Sequence, residues 1–213
     1  MTDTAQAGVG QASRGMRLPR TARRAQLLEA AQHVFVTNGY HAAAMDDIAD
    51  RAGVSKPVLY QHFPGKLELY TALLETHVDE LVGRVRHALA STTDNKQRVR
   101  TTVAAFYDFV NSEGEAYRMI FESDLRGEPA VQAAVDRATN ESVDAITETI
   151  IADAGLDVER ARLLAIGLVG MSQVSARSWL AADRPVPRED AISLIATLAW
   201  RGIGAGFPLQ HPQ

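Results

Sequence analysis

None of the 213 residues is cysteine. Disulfides, thiolate nucleophiles and Cys-ligated zinc or iron–sulfur centres are thereby excluded. A long hydrophobic run is also missing. The most apolar stretch, Leu163 to Met171 between Arg162 and Gln173, is far short of the roughly 20 residues a membrane-spanning helix needs. Residues 1–16 are small and polar with no apolar core of a secretion signal, so they are expected to be a disordered segment of a cytoplasmic protein without a membrane partner. HExxH, GxSxG and Walker A signatures do not occur, and no histidine follows a glutamate by three residues as di-iron bundles require. No enzymatic activity, metal or cofactor is expected. Excess positive charge is lacking too. The formal charge is −4 and the pI about 5.9, which for the chain as a whole argues against nucleic acid as a partner.

That average conceals an asymmetry. Residues 1–70 carry eight Lys and Arg against six Asp and Glu, a net +2, and the remainder carries −6. A mildly basic head on an acidic body suggests two modules with different partners. Both are helical: there are 34 alanines, apolar residues recur at spacings of three and four, and no useful segment alternates with period two. Helices are expected at about Arg20–Asn38, Met45–Ala52, a short one ending near Phe63, Lys66–Ala90, and then 95–111, 115–125, 129–153, 158–181 and 188–204. Gly39, Gly53, Pro64-Gly65, Pro129 and Pro185/Pro187 serve as punctuation. The fold class is all-α.

Two short helices joined by Gly53-Val54-Ser55 match the helix-turn-helix unit. Gly53 supplies a positive φ, Ser55 is placed to cap the second helix, and Pro57 sits in its first turn, where a missing N–H costs nothing. The same punctuation occurs in unrelated helical hairpins, so spacing alone leaves both readings open. Charge placement separates them. Acidic side chains favour helix N-termini, yet Arg20, Arg23 and Arg24 open the first helix, Lys56 the second short one and Lys66 the long one. In the acidic body Asp94, Asp157 and Glu189/Asp190 obey the rule. A cation beside a helix N-terminus is a phosphate site; the competing reading is that long basic side chains simply reach solvent.

The residues Phe35, Gly39-Tyr40, Asp47-Ile48-Ala49, Ala52-Gly53-Val54-Ser55, Leu59-Tyr60, His62-Phe63, Lys66 and Leu69 resemble the TetR family of bacterial transcriptional regulators. The resemblance implies an N-terminal three-helix helix-turn-helix DNA-binding domain over 17–65, a helical-bundle effector-binding and dimerisation domain over 66–206, and a tail over 207–213. It departs from many relatives at Ala43 and Ala44, where a Thr or Ser would cap the first short helix, at a local cost of about 1 kcal/mol. It further implies that Ser55–His62 reads DNA. Lys56, Tyr60, His62 and Lys66 then lie near phosphates, and Pro57, Val58 and Gln61 face the major groove, where Pro57 and Val58 meet only apolar edges and Gln61 can pair with adenine. Phe63 is expected in the core. His62 reads equally well as a solvated residue at a helix C-terminus. Arg14, Arg17 and Arg20, as an N-terminal arm, and Arg24 are further candidates for DNA contact.

The family's two-fold interface is expected from the last two helices, at Gly167, Gly170, Ile192, Ile195, Ala199 and Trp200, giving a homodimer on a double-stranded operator. Pocket candidates are Leu74, Phe106, Phe109, Val110, Tyr117, Ile120, Phe121, Val143, Ile146 and Trp179. Their poverty in charge suits a small apolar effector. GYHAAAMDDIADRAGVSKPVLYQHFPGKLELY, STTDN at Ser91–Asn95, YRMIFESD at Tyr117–Asp124 and GLVGM at Gly167–Met171 are similar to actinobacterial FasR-type regulators of fatty-acid synthase genes, which implies a long-chain acyl-CoA effector. The rivals are a repressor of an efflux or catabolic gene answering another apolar molecule and, more distantly, a helical enzyme or a protein-binding adaptor. An adaptor leaves the basic helix starts unexplained.

Overall fold

Apolar stripes at helical spacing, cut by Gly and Pro, give eight helices and no strand among the described residues, which in this computed structural model are 18–112, 125 and 127–206. They are α1 (Arg20–Ala42), α2 (Met45–Arg51), α3 (Lys56–His62), α4 (Lys66–Ala90), α5 (Asn95–Ser112), α6 (Pro129–Ala154), α7 (Val158–Ala181) and α8 (Arg188–Gly206). The expected 1–16 segment, the 207–213 tail, the arm residues Arg14 and Arg17, the helix over 115–125 apart from Leu125, and the pocket candidates Tyr117, Ile120 and Phe121 lie outside the described residues.

Element ends follow local chemistry. Gly39 takes φ +72° and breaks α1, and Gly53 takes φ +63° between α2 and α3. The carboxylate of Asp94 accepts the Gln97 N–H at 2.7 Å, and that of Asp157 accepts the Arg160 N–H at 3.0 Å. The four helices of the basic head differ: Pro19, Ala44, Ser55 and Gly65 stand at their N-caps and none makes a side-chain cap bond. Ser55, expected to cap α3, holds the N-cap backbone conformation, while its carbonyl rather than its hydroxyl accepts from Val58 and Leu59.

α1, α2 and α3 close around Leu27, Phe35, Ile48, Leu59 and Phe63. α4 packs on α1 near its start and then on α5 and α6; α6 in turn packs on α7, and α5 receives α7 and α8. The core is continuous from the three-helix head through Leu69, Tyr70 and Leu73 into the bundle. Arg137 of α6 holds α4 electrostatically. Its guanidinium donates to Asp79 at 2.8 Å, to Glu141 at 3.0 Å and to the carboxylate of Glu75, and this acidic ring keeps it above the ordinary arginine range.

One side chain on α4 opposes the packing. His77 is buried, both ring nitrogens lack a hydrogen-bond partner, and the nearest carboxylate, Glu80, is 3.9 Å away. Burial lowers its pKa from the usual 6.5, against the pull of Glu80. The unfolded chain therefore binds the extra proton first, so this contribution to stability is intact above about pH 6.5 and is lost as pH falls through that value. Thermal unfolding at pH 7.5 and 5.5 should show His77→Leu losing less stability on acidification than the parent, and being at least as stable at pH 7.5.

Candidate nucleic-acid interface

α3 presents Ser55, Lys56, Pro57, Tyr60 and Gln61 to solvent, with Val58 and His62 half-buried and Leu59 inside. The helix is seven residues long, so only one anchored face is available, and Leu59 and Phe63 supply the anchor. Tyr60 is 47% exposed, as expected of an outward ring, and Phe63 is 2% exposed, as expected of core. Val58, Gln61 and His62 line one side of an open groove of about 370 Å³ whose other side is Leu18, Arg20 and Arg23 at the start of α1. Burial first, and then Arg20, Arg24 and Arg23, lower the pKa of His62, leaving the ring neutral at neutral pH. The groove is thus cationic through its arginines rather than through histidine.

The basic residues at the helix starts are held in different ways. Arg20 is exposed. Arg24 lies over the Phe63 ring at 4.4 Å and joins α1 to the end of α3. Arg23 donates to Gln26 at 2.7 Å, and Gln26 donates to the Ala52 carbonyl at 2.8 Å, capping the end of α2. Lys56 bonds Asp46 at 2.6 Å with both side chains more than half exposed, an ion pair worth little and readily exchanged for a phosphate. Its pKa is raised by that hydrogen bond and by the charge of Asp46. Asp46 and Asp47 in the first turn of α2 complement the helix dipole there, with no side-chain cap bond.

Lys66 is engaged within its own subunit. Its ammonium, expected near a phosphate, donates to the carbonyls of Tyr40 at 2.8 Å, Ala43 at 2.9 Å and His41 at 3.2 Å, and sits 4.6 Å from the centre of the Tyr40 ring. Three donors meet three acceptors, and the side chain closes the end of α1. Sequence reasoning missed this clasp and the Gln26 cap because both join residues 23 to 26 positions apart, with no local pattern to mark them.

In the body, Leu74, Phe106, Phe109, Val110, Val143, Ile146 and Trp179 are all buried in the common core. Ile146 also lines a cavity of about 170 Å³ at the far end of the bundle. Trp179 is a structural anchor: its indole N–H donates to the Val186 carbonyl at 2.8 Å and pins the α7–α8 connection. Of the interface candidates, Gly167 and Trp200 are exposed, Gly170, Ile195 and Ala199 are half-buried, and Ile192 is 1% exposed. Ile192 is therefore corrected to core, on the side of α8 that packs against its own subunit. The reading missed Leu163, Leu164, Ile166, Val174 and Leu194, all of them large apolar side chains about half exposed or more. The signal was present: α7 carries more apolar residues than one buried face can take.

Known proteins match this arrangement. Residues 27–73 match the family described as bacterial regulatory proteins, tetR family, and residues 84–207 match the tetracyclin repressor-like C-terminal domain. The chain is 56% identical over 190 residues to the HTH-type transcriptional activator FasR of Mycolicibacterium smegmatis, covering 89% of this chain and 87% of that protein. The crystal structure of a TetR-like transcriptional regulator from Rhodococcus sp. RHA1 superposes with a TM-score of 0.69 at 27% identity, over 87% of this chain and 98% of that one. FadR of Bacillus subtilis in complex with stearoyl-CoA shares the fold, with a TM-score of 0.67 at 20% identity over 84% and 98%.

Salt titrations of duplex binding separate the two lysines. Lys56→Ala should lower the slope of log affinity against log salt by about one and leave the melting temperature in place. Lys66→Met should leave the slope unchanged and destabilise the fold by about 2 kcal/mol, the scale of a lost charge-assisted bonding set. The reverse pattern would put Lys66 on phosphate.

Proposed function

The chain belongs to the tetR family of bacterial regulatory proteins and is a DNA-binding transcriptional regulator; on that premise we propose that it acts as a cytoplasmic homodimer on a palindromic operator, controls genes of fatty-acid metabolism and answers to a long-chain acyl or acyl-CoA effector. The observation that carries this reading is the 56% identity to FasR along nearly the whole chain. Likeness of that extent reaches well beyond the helix-turn-helix into the bundle, where effector and partner would be recognised.

In this reading residues 17–65 read the operator and residues 66–206 bind effector and partner. α3 enters the major groove with Pro57 and Val58 against apolar base edges and Gln61 toward an adenine. Ser55, Lys56, Tyr60, His62 and Arg20 border the phosphates, and Arg24 fixes the angle between α1 and α3 from its seat on Phe63. The acidic body repels the duplex and turns the basic heads toward it.

Dimerisation is supported by the face that the subunit leaves uncovered. Leu163 is 70% exposed and Val174 54%, with Gly167 and Gly170 between them on α7 and Leu194 on α8. A Cβ added at Gly167 or Gly170 would meet nothing within 4 Å in its own subunit. Glycine inside a helix costs about 1 kcal/mol relative to alanine, so its placement on this apolar face suits close approach of a second helix. Trp200, Ala199 and Ile195 flank that face. The effector belongs among the inward side chains around Phe106, Phe109, Val110 and Val143; because they are packed together, an acyl chain enters by parting α5 and α6 from α4, the helix that carries the head. The stearoyl-CoA held by the Bacillus subtilis FadR supports a bundle of this shape as a housing for such a ligand.

Fluorescence anisotropy tests the reading with a duplex covering the fatty-acid synthase promoter of the same genome. Tight, salt-sensitive binding that micromolar stearoyl-CoA alters is expected; affinity equal to that for an unrelated duplex would contradict it. Gly167→Arg should sediment as a folded monomer and bind the palindrome at least about 100-fold more weakly, the loss expected when paired half-sites are uncoupled. Its thermal stabilisation by stearoyl-CoA should persist.

A further inference from the structure

The body carries a net charge of −6 over residues 71–213, yet one part of its surface is cationic. An open groove of about 390 Å³ runs between the first turns of α5 and the second half of α8. Lys96 and Arg100 line it from α5, and Ser193, Thr197, Trp200 and Arg201 from α8. Each set recurs at spacings of three and four, so each shares one face of its helix. No acidic residue is among the lining. α5 begins just after α4 ends, which puts the groove at the end of the body away from the head. Leu194, Gly167 and Gly170 of the proposed two-fold face are not in the lining either, so the groove borders that face without belonging to it.

The cations are not spent on one another's neighbours. Lys96 and Arg201 are exposed and enter no ion pair with a described residue. Arg100 is half-buried and oriented: it donates to the Ser193 hydroxyl at 2.8 Å and to the Glu189 carboxylate at 2.9 Å. Glu189 is largely exposed and also takes Arg188 at 2.8 Å, so this pairing is readily exchanged. Local chemistry accounts for one of the three. Arg201 stands just before Gly202, whose φ of +69° breaks α8, and a cation suits a helix C-terminus. Lys96 is the opposite case. It is the second residue of α5, where its charge opposes the dipole and the N–H groups favour an anion. Beside these cations the Trp200 indole is 47% exposed.

We propose that this groove binds a nucleotide, with its phosphates among Lys96, Arg100 and Arg201 and its base against the Trp200 indole. Guanidinium and ammonium groups pair strongly with phosphate oxygens, and a base stacks on an aromatic ring. Inorganic phosphate would leave the indole uncovered, and an acidic peptide brings carboxylates without a flat ring. A nucleotide brings both, and the volume lies within the range of about 300–1,000 Å³ common to small-molecule sites. The same chemistry is carried by a free nucleotide and by the nucleotide end of coenzyme A; only the second source rests on the acyl-CoA reading above.

Trp200 reports binding directly, because the other tryptophan, Trp179, is buried. The full chain at low salt is titrated with ADP, coenzyme A, adenosine and pyrophosphate. ADP should quench the indole saturably, and adenosine and pyrophosphate should each bind at least about tenfold more weakly. Lys96→Ala and Arg201→Ala replace exposed side chains and should each weaken ADP by about tenfold, the increment of one charge-assisted hydrogen bond. Lys96→Arg should retain binding, and Trp200→Phe should abolish the signal. Coenzyme A binding no more tightly than ADP assigns the groove to free nucleotides; tighter binding, with the same loss in Lys96→Ala, assigns it to the head of the effector. The titration needs no operator, so a failed response to stearoyl-CoA on DNA leaves it standing. No saturable quenching by ADP or coenzyme A, pyrophosphate or a hexaglutamate peptide binding as tightly as ADP, or affinity unchanged in both alanine variants would each overturn the assignment.

Discussion

The clasp of the Lys66 ammonium on the end of α1 joins the three-helix head to the long helix of the body. A helix end leaves carbonyls without partners and concentrates partial negative charge. Here the carbonyls of Tyr40, His41 and Ala43 converge on one cation that belongs to the first residue of the long helix. Beneath it Phe35, Tyr40 and Tyr70 meet ring to ring at 5.1–5.9 Å, so the joint between α1 and α4 is apolar inside and ionic at its rim. α3 is fastened to α1 through Phe63 and Arg24. Its direction relative to the bundle therefore follows from how α4 leaves that joint, and Arg137 holds the same helix to α6 farther along. α4 runs unbroken from that joint into the body, and in the proposed function it carries a change of packing there to the DNA face.

This arrangement redistributes the meaning of the basic helix starts. Taken from the sequence they form one group of phosphate sites, because each opposes the helix dipole. In the structure they serve different ends. Lys66 completes the C-terminus of α1, Arg24 stacks on an aromatic ring, Arg23 orients the Gln26 cap, and Lys56 rests on an exchangeable carboxylate beside the reading face. Arg20 and Lys56 are the ones that the proposed complex sets beside phosphates. Part of what looks like electrostatic design for a ligand is thus the internal wiring of a small domain.

Local chemistry made most of the fold legible in advance. Helical periodicity placed the described helices within a few residues, and Gly39, Gly53, Pro129 and the Asp94 and Asp157 caps marked their ends. Tyr60 faces out and Phe63 in, because a seven-residue helix has room for one buried face. Contacts between residues distant in sequence were not legible: Lys66 with residues 40–43, Gln26 with Ala52, and Arg137 with Glu75 and Asp79 depend on which helices become neighbours. The same limit misassigned Ile192, since a helix with apolar residues on two faces does not say which one its own subunit covers. It also hid the cationic groove between α5 and α8, whose walls come from distant stretches of the chain.

In the proposed complex α3 and the start of α1 form the DNA face while the acidic body stays clear of the duplex. Amide hydrogen exchange of the full chain, alone and on a duplex selected by the protein from random sequence, measures this directly. Protection should rise over residues 55–62 and at the beginning of α1, with α5 and α8 unchanged. Protection appearing on the acidic bundle, or none over residues 55–62, would contradict the account.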